Sequence, residues 1–202
     1  RPGAARIQGR ERVAGKTKVS AAPQAKDDMR RVLTKRLCWL SLALMLATLG
    51  ALIAIDLHLR NSVSPRGIVS FELCAYSGSC RAIVEAWGPG GQVWAALRLG
   101  LDYLFMLLYP ATIFLGLLLV VAHVPRRMKV VTTGAAWAVW VAGAADALEN
   151  YCLAQMLLNP AAGGYAWPAS ILATIKFVVL SVTLGWLLVM ALRFARRSSR
   201  AV

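Results

Sequence analysis

The chain contains four long runs of apolar residues separated by short polar segments. The runs cover residues 37–57, 93–124, 130–158 and 169–192. Each has at least the roughly 20 residues that a helix needs to cross about 30 Å of hydrocarbon. None alternates like a barrel strand, and only helices or closed barrels satisfy their backbone groups in lipid. The pattern predicts an all-α membrane protein, a four-helix transmembrane bundle over residues 37–193.

A shorter helix is predicted in the loop between the first two runs. Apolar residues recur there at near-helical spacing and would share one side of a helix: Phe71, Ala75, Ile83, Val84 and Trp87. The glycine- and proline-rich segment 88–91 ends this pattern. A helix with one apolar side and one polar side can lie in the plane of a membrane interface. We therefore expect a short interfacial helix in this loop.

Composition and charge support this architecture and predict its orientation in the membrane. The 202 residues are 58% hydrophobic and 16% charged, whereas soluble domains are about half apolar and about a quarter charged. The net charge of +14 does not indicate a nucleic-acid-binding module, because the basic residues lie in the N-terminal segment and at the edges of the apolar runs. Residues 126–129 and the C-terminal segment are basic, while the loop 159–168 has no Lys or Arg. The positive-inside rule then places both termini on the cytoplasm-equivalent side.

Both ends of the chain are predicted to be basic extramembrane segments, namely an arm over residues 1–36 and a tail over residues 194–202. The arm holds eleven of the 23 Lys and Arg residues and no aromatic residue, so it cannot bury a core of its own. An Arg-rich, acid-poor leader is typical of organellar targeting. This composition favours a mitochondrial inner-membrane protein with both termini on the matrix side. The alternatives are an expression remnant or a basic tail that touches anionic lipid.

Several polar residues interrupt the apolar runs. A charge within the bilayer costs about 2.5 kcal/mol or more, so such side chains normally face the bundle interior and pair. Their distances from the predicted helix ends place them at similar heights, and three of them share one helix face at i, i+3 and i+4. The sequence therefore predicts one intramembrane polar cluster, formed by Arg98, Asp102, Asp146, Glu149, Asn150 and Lys176. It is either an ion-pair network that fixes helix packing or a pocket for a lipid head group, a quinone or a proton.

Two cysteines, Cys74 and Cys80, lie in the first loop. They form a disulfide if that face of the membrane is oxidising and remain free thiols otherwise. The chain contains no C-x-x-C pair, zinc-ligand spacing, Gly-rich phosphate loop or nucleophile–base pair. We therefore expect no enzymatic activity, no metal and no cofactor beyond structural lipids.

Several short motifs occur together in residues 37–193. They are Ser70-Phe71-Glu72-Leu73, Ala86-Trp87-Gly88, Leu101-Asp102-Tyr103-Leu104-Phe105 with Tyr109, Asp146-x-x-Glu149-Asn150, and Lys176-Phe177. This combination resembles an uncharacterised family of small bacterial four-helix membrane proteins. The resemblance implies the four-helix fold and the polar cluster without implying an activity. The basic N-terminal region departs from the family pattern and suits a descendant imported into an organelle.

These observations lead to one expected function and several alternatives. We expect a non-catalytic accessory subunit of a multi-subunit organellar inner-membrane complex, of the respiratory-chain or ATP-synthase type. Its partners would be other membrane subunits and lipids, with no nucleic acid. The alternatives are a stand-alone lipid- or quinone-binding membrane protein or transporter, and a photosynthetic membrane subunit.

Overall fold

The computed structural model describes residues 8–121, 124–161 and 163–198, and within these ranges the chain is helical with no strand. The first seven residues of the predicted arm and the last four of the predicted tail lie outside the described residues. Short 3-10 turns join some of the helices. The α-helices are α1 (Gln8–Asp56), α2 (Ile68–Glu72), α3 (Cys80–Val121), α4 (Arg126–Leu158) and α5 (Ala166–Ser198).

Four stretches of helix are long and apolar enough to cross a membrane. They are Met29–Leu59, Cys80–Val121, Arg126–Leu158 and Gly163–Arg193. This confirms the prediction of an all-α chain with four long apolar helices. The helices extend beyond the predicted runs, because apolar windows detect only the apolar part of a helix. In the basic arm, α1 is helical from Gln8 onward, and Ala, Arg, Lys and Gln all favour helix.

Helix α3 contains a kink at the predicted glycine and proline break. Gly88 has φ 60° and ψ −176°, a conformation that side chains other than glycine's rarely tolerate. Pro89 follows it and supplies no backbone N–H to the helix. Residues 80–87 therefore form a separate first segment of α3, before the long apolar part begins.

The prediction of one helix over Phe71–Trp87 is wrong in detail. The structure divides this segment into α2, a 3-10 turn over Cys74–Tyr76 and the start of α3. Its apolar side chains are buried in a core with Leu153 and Met156 of α4. The segment folds back over the bundle because the ends of α3 and α4 offer it an apolar surface. We call residues 57–87 the cap.

The cap is held in place by a buried hydrogen-bond network. The indole N–H of Trp87 donates to the carbonyl oxygen of Leu59 at 2.8 Å and to the hydroxyl oxygen of Ser64 at 2.9 Å. The backbone N–H of Ile68 donates to Asp56 at 2.8 Å. Gly67 has a φ of 57°, and a Cβ atom there would collide with the same carboxylate, so this turn requires glycine. These contacts fix the cap to the end of α1.

Two apolar cores follow one another along α3 and α4. The first joins the cap to Leu99 and Leu153, and the second contains Met106 and Val139. In sequence, Asp102 lies between the core residues of α3, and the polar residues 146–150 lie between those of α4. The polar site is therefore enclosed by apolar packing on both sides.

Candidate functional site

The centre of the site is the ammonium group of Lys176, which is 5% exposed. Its Nζ atom lies 2.7 Å from Glu149 Oε2 and 2.9 Å from Asp146 Oδ1. It also lies 3.6 Å from Glu72 Oε1. One cation of α5 thus contacts carboxylates from α4 and from α2 in the cap. We call these four residues the lysine cluster.

A second group of polar residues lies beside the lysine cluster. Arg98 Nη1 donates to Asp102 Oδ1 at 2.9 Å, and both residues belong to α3. The side-chain amide of Asn150 on α4 donates to Asp102 Oδ2 at 2.8 Å. Since Asn150 follows Glu149 directly, the two groups are adjacent on α4. Every polar residue predicted for the intramembrane cluster lies in one of these two groups.

The sequence prediction did not include Glu72 in the cluster. This residue lies between the apolar runs, where a carboxylate is ordinarily solvated, but in the structure it is 4% exposed. Its motif, Ser70-Phe71-Glu72-Leu73, belongs to the family resemblance. That motif was the only available sign that Glu72 has a special environment.

Ser170 on α5 brings Glu72 to Lys176. Its hydroxyl donates to the backbone carbonyl oxygen of Glu72 at 2.8 Å and accepts the backbone N–H of Ala75 at 3.2 Å. Ser170 is fully buried. Because Lys176 lies six residues later on the same helix, this contact places the end of α2 against the lysine cluster.

The two groups together contain an excess of carboxyl groups. Four carboxyls, of Glu72, Asp102, Asp146 and Glu149, surround two cations, Lys176 and Arg98. A buried charge without a partner is costly, so a proton on one carboxyl lowers the free energy of the folded state. Glu72 has the longest ion pair of the lysine cluster. Among the described residues, its Oε2 has no hydrogen-bond partner, and neither does Glu149 Oε1.

Burial raises the pKa of the Glu72 carboxyl above its ordinary value of 4.5. The nearby carboxylates of Asp102 and Asp146 raise it further, against the opposing charges of Lys176 and Arg98. These environmental effects favour the neutral acid. Glu72 can therefore hold the proton.

Access to the site differs between its two groups. Arg98 borders a groove of about 370 Å³ that also contains Asp56, Arg60 and Arg66. The four residues of the lysine cluster do not line this groove. They also do not line a cavity of about 270 Å³ in the cap, beside Ala75 and Arg81, or one of about 770 Å³ at the opposite end of the bundle. The lysine cluster is thus packed against protein, with no space beside it in these cavities for a ligand.

The cap also contains a disulfide. Cys74 and Cys80 are bonded, while Cys38 and Cys152 are free. Cys74 is fully buried in the first apolar core. The disulfide closes the turn between α2 and α3, and so restrains the segment that carries Glu72.

The site can hold ion pairs and a proton. In the described part of the chain, no group of three or more His, Cys, Asp or Glu residues is arranged to hold a metal ion. The two groups are built from carboxylates, cations and one amide. No family model, curated protein or solved structure matches this chain.

Proposed function

We propose that the protein is an integral membrane protein whose four long helices cross the bilayer. Its apolar helices leave large hydrophobic side chains on the outside, including Leu104, Leu107, Val182 and Leu188. In water such a surface would drive aggregation, whereas acyl chains solvate it. Exposed Trp167 lies at the start of α5, which suits a membrane interface, where Trp is enriched.

The proposed orientation follows the distribution of basic residues. The α3–α4 turn carries Arg126, Arg127 and Lys129, and α1 and α5 carry further basic residues at the same end. By the positive-inside rule this end faces the cytoplasm or the mitochondrial matrix. The cap then lies on the opposite side. The basic composition of residues 1–36 favours the mitochondrial inner membrane.

We propose further that the protein is a non-catalytic subunit of a larger membrane complex, in keeping with an inner-membrane accessory role. The proposal rests on Lys176. Its ammonium group contacts three carboxyl groups and so joins α2, α4 and α5. An enclosed network of this kind fixes helix register without leaving a charge for a substrate. The apolar part of α1 buries 11% of its residues, against 39% for α4. That helix therefore offers the largest open face to a partner.

Native electrophoresis of membranes solubilised in a mild detergent tests the proposal. The protein should migrate in a band far larger than 21.8 kDa, and mass spectrometry of the band should identify the same co-migrating subunits in repeated preparations. Glu149→Gln should weaken this assembly, with Arg81→Gln on the exposed cap as the matched control. A stable monomer with no co-migrating subunit would contradict the proposal.

A second candidate function is proton binding, and the excess of carboxyls over cations favours it. A proton held at Glu72 could be released when the arrangement of the cap changes. Infrared spectroscopy of the protein in lipid detects the carbonyl band of a protonated carboxylic acid. This function predicts a band that disappears in Glu72→Gln while assembly is unchanged. The absence of the band in the wild-type protein would exclude it.

A further inference from the structure

A large cavity lies at the end of the bundle opposite the cap. Its volume is about 770 Å³, and it lies where α3 ends and α4 begins. Volumes of roughly 300–1,000 Å³ are typical of sites for small organic ligands. Apolar side chains form most of its wall, among them Val120, Pro125, Met128 and Met190. The cavity can therefore hold an apolar chain.

Three cations also line this cavity. They are Lys35 of α1, Arg127 of α4 and Arg193 of α5, and all three are exposed. Among the described residues that line the cavity, none is acidic. Within the described ranges none of the three forms an ion pair. Arg193 Nη1 lies 3.9 Å from Met128 Sδ. Their charges are thus available to an anion.

The three cations come from three different helices. Like charges near one another repel, and the helices could have presented neutral residues at these positions. A bound anion would attract all three cations, offset this repulsion and link α1 to α4 and α5. The combination of an apolar wall and three unpaired cations matches an anionic group attached to an apolar chain.

We propose that this cavity binds an anionic phospholipid. An acyl chain would lie against Val120 and Met190, and the phosphate would contact Lys35, Arg127 and Arg193. The proposal rests on the membrane insertion proposed above, because the cavity then opens at the basic end, where anionic lipids interact with Lys and Arg. It does not depend on assembly into a complex. A zwitterionic lipid has no net charge to balance three cations, so the site should discriminate between the two lipid classes.

Binding is tested with the purified full chain in detergent, to which lipid is added in defined amounts. Phosphatidylglycerol should raise the midpoint of thermal unfolding, while phosphatidylcholine and inorganic phosphate should have little effect. The double variant Arg127→Gln/Arg193→Gln should bind phosphatidylglycerol on the order of tenfold more weakly or worse, since each basic residue near a membrane surface contributes about 1 kcal/mol. Arg60→Gln/Arg66→Gln, in the cap at the other end of the bundle, is the matched control and should bind like the wild type.

A second variant distinguishes loss of the lipid site from a general loss of fold. Ala191→Trp places a bulky side chain at an exposed position of the cavity wall. It should weaken lipid binding without changing the charge or the unfolding midpoint measured without lipid. Equal stabilisation of the wild type and both cavity variants would overturn the proposal, as would equal responses to the two lipids. Carbonate extraction of membranes tests insertion separately, so a failure of the lipid site is distinguishable from a failure of the proposed membrane location.

Discussion

Lys176 of α5 lies 2.7 Å from Glu149 of α4, and both side chains are buried between two apolar cores. This contact joins two helices through residues that are 27 positions apart in sequence. Its strength depends on the surrounding packing, because apolar neighbours exclude the water that would otherwise solvate both charges. The same ammonium group contacts Asp146 and Glu72, so a single cation joins α2, α4 and α5.

The two glutamates of the lysine cluster should respond differently to neutralisation. Glu149→Gln removes the closest charged partner of Lys176 and should destabilise the protein by about 3 kcal/mol, because breaking a buried ion pair leaves charge uncompensated. Glu72→Gln should cost far less, since its contact is longer and the neutral amide resembles a protonated carboxyl. Unfolding in detergent with increasing sodium dodecyl sulfate measures both. An equal loss of stability in the two variants would contradict this difference between Glu149 and Glu72.

The stability of the protein should depend on the protonation of Glu72. Since burial raises the pKa of Glu72, the folded state holds this proton at higher pH than the unfolded chain. The stability that it contributes is complete below the ordinary pKa of 4.5 and is lost as the pH rises through the raised folded value. The free energy of unfolding of the wild type should fall over this pH range, and that of the Glu72→Gln variant should fall less. Thermal unfolding in detergent across a pH series measures the difference. Parallel curves for the two proteins would contradict it.

Part of the site could be predicted from periodicity alone. Asp146, Glu149 and Asn150 share a face because positions i, i+3 and i+4 lie on the same side of any helix. Arg98 and Asp102 are four residues apart, so they share a side of α3 for the same reason. The heights of these residues follow from the helix ends. Local geometry and apolar run length were therefore sufficient for the residues within the long helices.

The contribution of the cap could not be predicted in the same way. Glu72 reaches Lys176 because the chain reverses after α1 and Ser170 then binds the backbone of the cap, a contact between residues 98 positions apart. Periodicity carries no information about such a reversal. Trp87 illustrates the same limit. Its spacing suited a surface helix, yet its side chain lies in the core with a hydrogen-bonded indole.

The approach of α3 and α4 should be sensitive to side-chain volume at Gly143. A Cβ atom there would lie 3.1 Å from the carbonyl oxygen of Met106 and 3.1 Å from Pro110 Cγ. Gly143→Ala should therefore destabilise the protein by about 1–3 kcal/mol, the usual cost of overpacking. Gly134→Ala is the matched control on the same helix, since nothing lies within 4 Å of its Cβ position, and it should be neutral or stabilising. A comparison of their unfolding midpoints in detergent decides the matter, and equal midpoints would exclude a close contact at Gly143.

The disulfide of the cap predicts a specific labelling pattern. With maleimide-polyethylene glycol in denaturant, the unreduced protein should gain two labels, on Cys38 and Cys152, and the reduced protein four. Gel mobility reports the number of labels. Cys80→Ala should give three labels with or without reduction, and should lower the stability of the protein by about 2 kcal/mol. Four labels on unreduced wild-type protein, isolated without reductant, would contradict the pairing.

A double-mutant cycle on Lys176 and Glu149 is the most direct test of a paired charge at the centre of the bundle. Lys176→Met and Glu149→Met should each destabilise the protein strongly. The double variant should lose about 1–3 kcal/mol less than the sum of the two, because neither residue is then left without its partner. Lys176→Met combined with Arg81→Gln, on the exposed cap, should be additive. Additive effects of Lys176→Met and Glu149→Met would contradict this, because they would show that the two side chains do not interact.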